Sequence, residues 1–257
     1  MSVVIDIGNA RIKWAQVGGD GRLAALGHAL HLHESDDAFG ALAAALPERT
    51  DRVVVANVAG SELAERLTQL IRARYGIEPE LVATRAEEHG VRCAYADPSR
   101  LGVDRWVAVI AAHHLADDAA CAITAGTAIT FDAVDRDGQH LGGLIFPGAR
   151  MIAAALDRDT SNIGATSAPG PAPAGLDLLG RNTDTAVGHA AMLGVAAALD
   201  RAIATVGEAL GTQPTVFLAG GDGPILRDWL ETEVHLRADL VLEGLALFAR
   251  QPRPEGN

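Results

Sequence analysis

The sequence predicts an α/β fold made of two similar lobes, and three observations carry that expectation. Short apolar runs alternate with helix-length amphipathic stretches along the chain, the pattern of strands and helices packed in layers. An apolar run broken by a glycine turn, Val4-Ile5-Asp6-Ile7-Gly8-Asn9, returns 118 positions later, near mid-chain, as Ala122-Ile123-Thr124-Ala125-Gly126-Thr127. Each copy is followed by a second apolar run (10–15 and 128–133), so both read as a strand, a tight turn and a returning strand, the mark of a duplicated unit.

The elements follow in order. Residues 3–5 and 12–15 form the first hairpin, 34–46 read as a helix, 52–57 (Arg-Val-Val-Val-Ala-Asn) as a buried strand, and 61–75 as a helix with Ser61 as its N-cap and Glu62 and Glu65 in its first turn. Residues 102–115 read as a helix entered from a polar loop. In the second half, Arg136-Asp137-Gly138-Gln139 is a hairpin turn. Gly142 to Gly148 closes a strand that leads into a helix from Ala149, 169–173 is a Pro/Ala/Gly loop, 183–210 a long Ala-rich helix, 215–219 a buried strand running into Gly220-Gly221-Asp222-Gly223, and 239–250 a final helix. Two lobes are expected, 1–117 and 118–257, with a cleft between them.

Composition bounds the function. The 257 residues are 49% apolar and only 4% aromatic, so Ala, Leu, Val and Ile must build the core. A formal net charge of −12 disfavours nucleic acid as a partner, although backbone N–H groups and a few local cations can still hold a small anion. Cys93 and Cys121 show neither disulfide nor zinc spacing, which fits a reducing, cytoplasmic setting. No basic segment precedes an apolar run at the N-terminus, so no signal peptide is expected. The Ala-rich stretch 193–199 is too short to span a membrane.

The chemistry concentrates in the glycine turns. Without a Cβ, glycine lets the backbone approach a ligand, and the N–H groups of a tight turn cradle phosphate oxygens. Asn9 and Thr127 add short polar side chains, Arg11 and Lys13 lie on the returning strand, and Asp6 at a strand end suits Mg²⁺, commonly through water. One such turn alone reads as a plain hairpin; it is the repetition that suggests a nucleotide. No Walker-type P-loop occurs. In the segment from Tyr95 to Trp106, Asp104 and Arg105 fall in the first helical turn, where Asp104 either caps the helix or faces a cleft and accepts a proton from a substrate hydroxyl. Phosphoryl transfer asks for little more than such a carboxylate, a positioned acceptor and charge neutralisation. His31-Leu32-His33 and His113-His114 read as solvated side chains.

Taken together, Asp6-Ile7-Gly8-Asn9, Gly102-Val103-Asp104-Arg105-Trp106, Gly126-Thr127-Ala128-Ile129-Thr130-Phe131-Asp132, Gly142-Gly143 with Pro147-Gly148, and Asn182-Thr183 resemble the type III pantothenate kinases, which include the Bvg accessory factors. The resemblance spans nearly the whole chain. It implies two RNase H-like lobes of the actin-like ATPase (ASKHA) type, mixed sheets flanked by helices, with the active site in the cleft between lobes. It also implies a cytoplasmic homodimer that transfers phosphate from Mg²⁺-ATP to pantothenate, the first step toward coenzyme A. On this resemblance Asp6, Ile7, Gly8, Asn9, Ala10, Arg11, Ile12 and Lys13 bind ATP together with Thr127, Gly220 and Gly221. Tyr95, Gly102, Val103, Asp104, Arg105 and Thr183 hold pantothenate, Asp104 is the general base, and Asp6 serves Mg²⁺ through water. The family carries Asp where this chain has Thr124, at its monovalent-cation position for K⁺ or NH₄⁺; Asp132, on the following strand, is retained and is a candidate to act on a metal or water. A neutral hydroxyl is a weaker cation ligand than a carboxylate. This departure keeps two alternatives in view: a non-catalytic nucleotide-binding regulatory protein of the same fold, and a related kinase for another small hydroxylated substrate. Ala10, where the family commonly has Thr, keeps the turn's N–H groups and loses only a hydroxyl.

Overall fold

The computed structural model describes residues 1–31, 37–161, 163 and 170–251. Of the sequence expectations, those on Leu32, His33, Glu34 and Pro169 lie outside these residues. The chain divides into two compact units, Met1–Ala111 with Asp239–Asn257, and Ala112–Ala238.

The first unit holds β1 (Ser2–Ile7), β2 (Arg11–Val17), β3 (Leu23–Leu30), α1 (Asp37–Ala45), β4 (Arg52–Asn57), α2 (Ser61–Tyr75), β5 (Glu80–Leu81) and a two-stranded ribbon of β6 (Glu87–Glu88) and β7 (Val91–Arg92). Its five-stranded sheet runs β3-β2-β1-β4-β5, with β1 antiparallel to β2 and parallel to β4. Alternation along β1 and β2 turns Ile5, Ile7, Ile12 and Trp14 to one face, where Leu42 of α1 and Leu67 and Ile71 of α2 cover them. Burying each such aliphatic side chain contributes about 1.5–3 kcal/mol. Ser61 proves to be the first residue inside α2 rather than its cap. The cap is Gly60, at φ 99° and without a side-chain bond, because the entry needs a left-handed residue that only glycine adopts freely.

The second unit repeats this plan strand for strand. It contains β8 (Ala120–Ala125), β9 (Ala128–Val134), β10 (His140–Pro147), α4 (Ala149–Asp159), α5 (Thr183–Leu210), β11 (Thr215–Ala219), the short α6 (Gly223–Arg227) and β12 (His235–Leu236), and its sheet order is β10-β9-β8-β11-β12. The two hairpins are not identical. Ile7 pairs with Ile12 across residues 8–11, whereas Ala125 pairs with Ile129 across residues 126–128, so the second turn is one residue shorter. Beyond the turn, Trp14 therefore corresponds to Phe131 and Lys13 to Thr130, one position earlier than a gapless overlay suggests. The shift keeps both aromatics in their cores.

α5 is long and apolar enough to cross a membrane by length and composition, more so than its central alanines alone suggest. Its Met192, Val195, Leu199 and Ile203 recur at helical spacing and pack into the second core with Ile123, Phe131 and Leu218.

The expected division at 117/118 differs from the two units at both ends. α3 (Val103–Leu115) carries the chain from the first unit into the second, and α7 (Leu240–Arg250) belongs with the first sheet, against β1, β4 and β2. Two local features hold α7 there. Gly244 lies so close to α3 that a Cβ would stand 2.4 Å from the Val107 carbonyl oxygen. Arg52, only 9% exposed, bonds Glu80 and donates from Nη1 to the Ala249 and Gln251 carbonyls, placing a cation on the C-terminal end of the helix.

Candidate functional site

In the first unit the C-terminal end of β1 gathers the expected residues. Gly8 N donates to Arg11 O at 3.0 Å and closes the turn, leaving Asn9 exposed at its tip. Asp6 and Lys13 are register partners on neighbouring strands. Lys13 Nζ also stands 3.5 Å from Asp239 Oδ1, at the start of α7. Asp6 is half-buried as a residue, but its Oδ1 is sealed and has no hydrogen-bond partner among the described residues. That burial, reinforced by the negative charge of Asp104 and opposed by Lys13, pushes the Asp6 carboxyl up to about 7.

Asp104 is the second residue of α3. Its Oδ1 accepts from the Arg105 N–H at 2.8 Å, at a helix end that favours negative charge. A Cβ on Gly102 would stand 2.7 Å from this Oδ1, so glycine at 102 makes room for the carboxylate in this position. Val103 is buried. Arg105 is 6% exposed; its Nη1 donates to the Tyr95 hydroxyl at 3.2 Å, and its guanidinium lies 6.0 Å from the centre of that ring. Tyr95 and Arg105, expected to share a ligand, are thus in contact.

In the second unit three glycine segments meet. Gly148 N donates to Thr127 O at 3.0 Å, and a Cβ on Gly148 would stand 2.6 Å from Gly126 O. Gly220, at φ 92°, packs so tightly that a Cβ would fall 2.0 Å from Ala125 O, which also accepts from Asp222 N. The turn of Gly126 and Thr127, the start of α4 and the run from Gly220 to Gly223 therefore form one backbone-lined patch, with Gly221 exposed and Arg150 bonded to Asp222 at 2.8 Å. Thr183 is the exposed first residue of α5, behind the Asn182 cap.

The cation candidates separate. Among the described residues no group of three or more His, Cys, Asp or Glu side chains could hold a metal ion. An orphaned, sealed carboxylate oxygen beside a second carboxylate fits Mg²⁺, which takes one or two protein oxygens and fills its shell with phosphate and water. A K⁺ site does not fit the donors as well. Thr124 offers one neutral hydroxyl, and Asp132, 2% exposed, is engaged by His140 Nε2 at 3.0 Å.

Sequence reasoning passed over His31, Gly148 and Asp239. His31 reads as solvated from its place in a connecting segment, yet its ring touches Gly8 O at 2.6 Å. Gly148 was legible as a strand end and as part of the family pattern but not as the partner of the Gly126–Thr127 turn, and nothing local marks Asp239 as the partner of a lysine 226 positions away.

A curated type III pantothenate kinase from Nitrosococcus oceani is 35% identical over 97% of this chain and 94% of its own length; one from Pseudomonas aeruginosa is 36% identical over 96% and 98%. A ROK family glucokinase from Streptomyces griseus, solved with glucose and AMPPNP, superposes with a TM-score of 0.52 over 98% of this chain and 99% of its own at 14% identity, a likeness of fold. The family model for type III pantothenate kinase matches residues 2–205, and the chain belongs to that family.

Proposed function

We propose that this chain phosphorylates pantothenate with ATP, giving 4′-phosphopantothenate in coenzyme A biosynthesis. The observation that carries the reading is the pairing of a sealed, charge-frustrated carboxylate, Asp6, with a second carboxylate, Asp104, at the start of α3.

The turn of Asp6 to Lys13 and the glycine patch around Thr127, Gly220 and Gly221 bind the ATP phosphates through backbone N–H groups, with Lys13 supplying positive charge. Asp6 holds Mg²⁺, directly or through water; the metal, when bound, neutralises phosphate charge. Asp104 aligns the terminal hydroxyl of pantothenate and accepts its proton as the γ-phosphoryl group transfers. Arg105, buried and already polarised toward Tyr95, receives the pantothenate carboxylate, with Gly102, Val103 and Thr183 completing the acceptor site. No step depends on a monovalent cation, since Thr124 and Asp132 do not supply its charge. The protein acts as a cytoplasmic homodimer without nucleic acid or membrane partners.

The direct test is an assay of the purified chain with pantothenate, ATP and Mg²⁺, with and without K⁺ or NH₄⁺. Formation of phosphopantothenate is expected. Thr124 favours one competing reading, a nucleotide-binding regulator without turnover, and nucleotide binding without product under every condition would select it. Product only from another hydroxylated compound in a substrate panel would move the reaction to that substrate.

A further inference from the structure

His31 follows β3 and reaches the first glycine turn twice. Its backbone N–H donates to Ala10 O at 3.1 Å, and its Nε2 lies 2.6 Å from Gly8 O. The two contacts straddle Asn9. A carbonyl oxygen can only accept, so Nε2 carries the proton in this contact. The Gly8–Asn9 peptide is trans, as are all the described peptide bonds. In a planar trans peptide the C=O and N–H point in opposite directions. Holding the Gly8 oxygen toward His31 therefore aims the Asn9 N–H away from it, toward the exposed tip of the turn, where no hydrogen bond among the described residues uses it.

We propose that His31 is a positioning residue for the first phosphate turn, fixing the Gly8–Asn9 peptide so that the Asn9 N–H is presented to a polyphosphate oxygen. The contact orients a donor before the ligand arrives, so the ligand need not order it. The proposal rests on the reading of this turn as a phosphate site and is independent of the acceptor substrate.

The test measures equilibrium binding of Mg²⁺-AMPPNP and of Mg²⁺-tripolyphosphate to the full chain, without pantothenate, for wild type, His31→Gln and His31→Met. The two variants have similar length, and only Gln keeps an N–H donor. One hydrogen bond's worth of preorganisation predicts roughly tenfold weaker binding of both probes to H31M and near-normal binding to H31Q. Adenosine binding should be unchanged in both. Thermal melting without ligand reports whether either variant has lost its fold. Equal binding by wild type and H31M overturns the proposal, as does equal weakening in H31Q and H31M, which would assign the effect to ring packing. Wild type that binds neither probe overturns it too. Phosphopantothenate formation by wild type is scored separately, so nucleotide binding without pantothenate turnover would sink the assigned reaction and leave the role of His31 standing.

Discussion

The carboxylate of Asp104, at the start of α3, raises the proton affinity of Asp6, near the end of β1. Two residues 98 positions apart thus share one electrostatic environment, and a change at one must be felt at the other. Asp104→Asn removes the charge while keeping the shape. Turnover should fall by about 10²–10⁴-fold, the usual worth of a general base, while the melting temperature holds and the Asp6 carboxyl moves down from about 7. Kinetics together with carboxylate titration by NMR would check both halves. Near-normal turnover would rule out the role given to Asp104.

The titration of Asp6 sets a pH dependence of definite sign. Burial lifts its carboxyl from 3.8 to about 7, so between those values the folded chain keeps a proton that the unfolded chain releases. Its contribution to stability is therefore present on the acid side and is lost as pH rises through about 7. Metal binding runs the other way, because Mg²⁺ requires the ionised form. Mg²⁺-nucleotide affinity should strengthen between about pH 6 and pH 8, while Asp6→Asn should bind weakly with a flat profile. Calorimetric titrations across that range would show it; an identical slope in wild type and D6N would reject Asp6 as the group responsible.

Thr124 and Thr130 face each other across β8 and β9, where the first hairpin pairs Asp6 with Lys13. With Asp132 tied to His140, no anionic ligand is offered at that rung. Turnover should accordingly respond little to K⁺ or NH₄⁺, by less than about twofold. Thr124→Asp should introduce a saturable activation by either ion, since a carboxylate supplies the charge that a hydroxyl lacks. Initial rates over a cation series in both proteins decide it. Strong K⁺ activation of wild type would show that the site is completed by other groups.

Much of this was legible in the sequence because local rules decided it. Apolar runs marked β1 and β4 and alternation marked β2, Gly76 at φ 68° stopped α2 where the apolar spacing ended, and the repeated glycine turn announced two sheets of one topology. What stayed hidden depends on tertiary contact. The amphipathic face of α7 does not say which sheet it covers; Gly244 against Val107 and Arg52 at its C-terminal carbonyls do. Asp132 looked available until the fold placed its carboxylate on a buried His140. The run from His28 to His33 alternates histidine with Ala and Leu and names no partner for His31, and only the pairing of β3 with β2 brings it to Gly8.

The glycine patch of the second unit makes the last prediction, which concerns stability. Gly220 sits at φ 92°, and any Cβ there would meet the Ala125 backbone at 2.0 Å from its oxygen and 2.7 Å from its nitrogen. Neither atom can yield, because Ala125 is fixed in β8 by its pairing with Ile129. Gly220→Ala therefore combines a disfavoured backbone region with a clash, at a cost of about 2–4 kcal/mol, or roughly 5–15 °C in melting temperature. Gly19, with nothing within 4 Å of its would-be Cβ, is the matched control, and Gly19→Ala should stay within about 0.5 kcal/mol of wild type. Thermal melting of the two variants side by side separates the combined cost of the left-handed backbone and the close approach from that of adding any methyl group; equal melting temperatures would mean that the turn relaxes freely and is not the rigid phosphate cradle described.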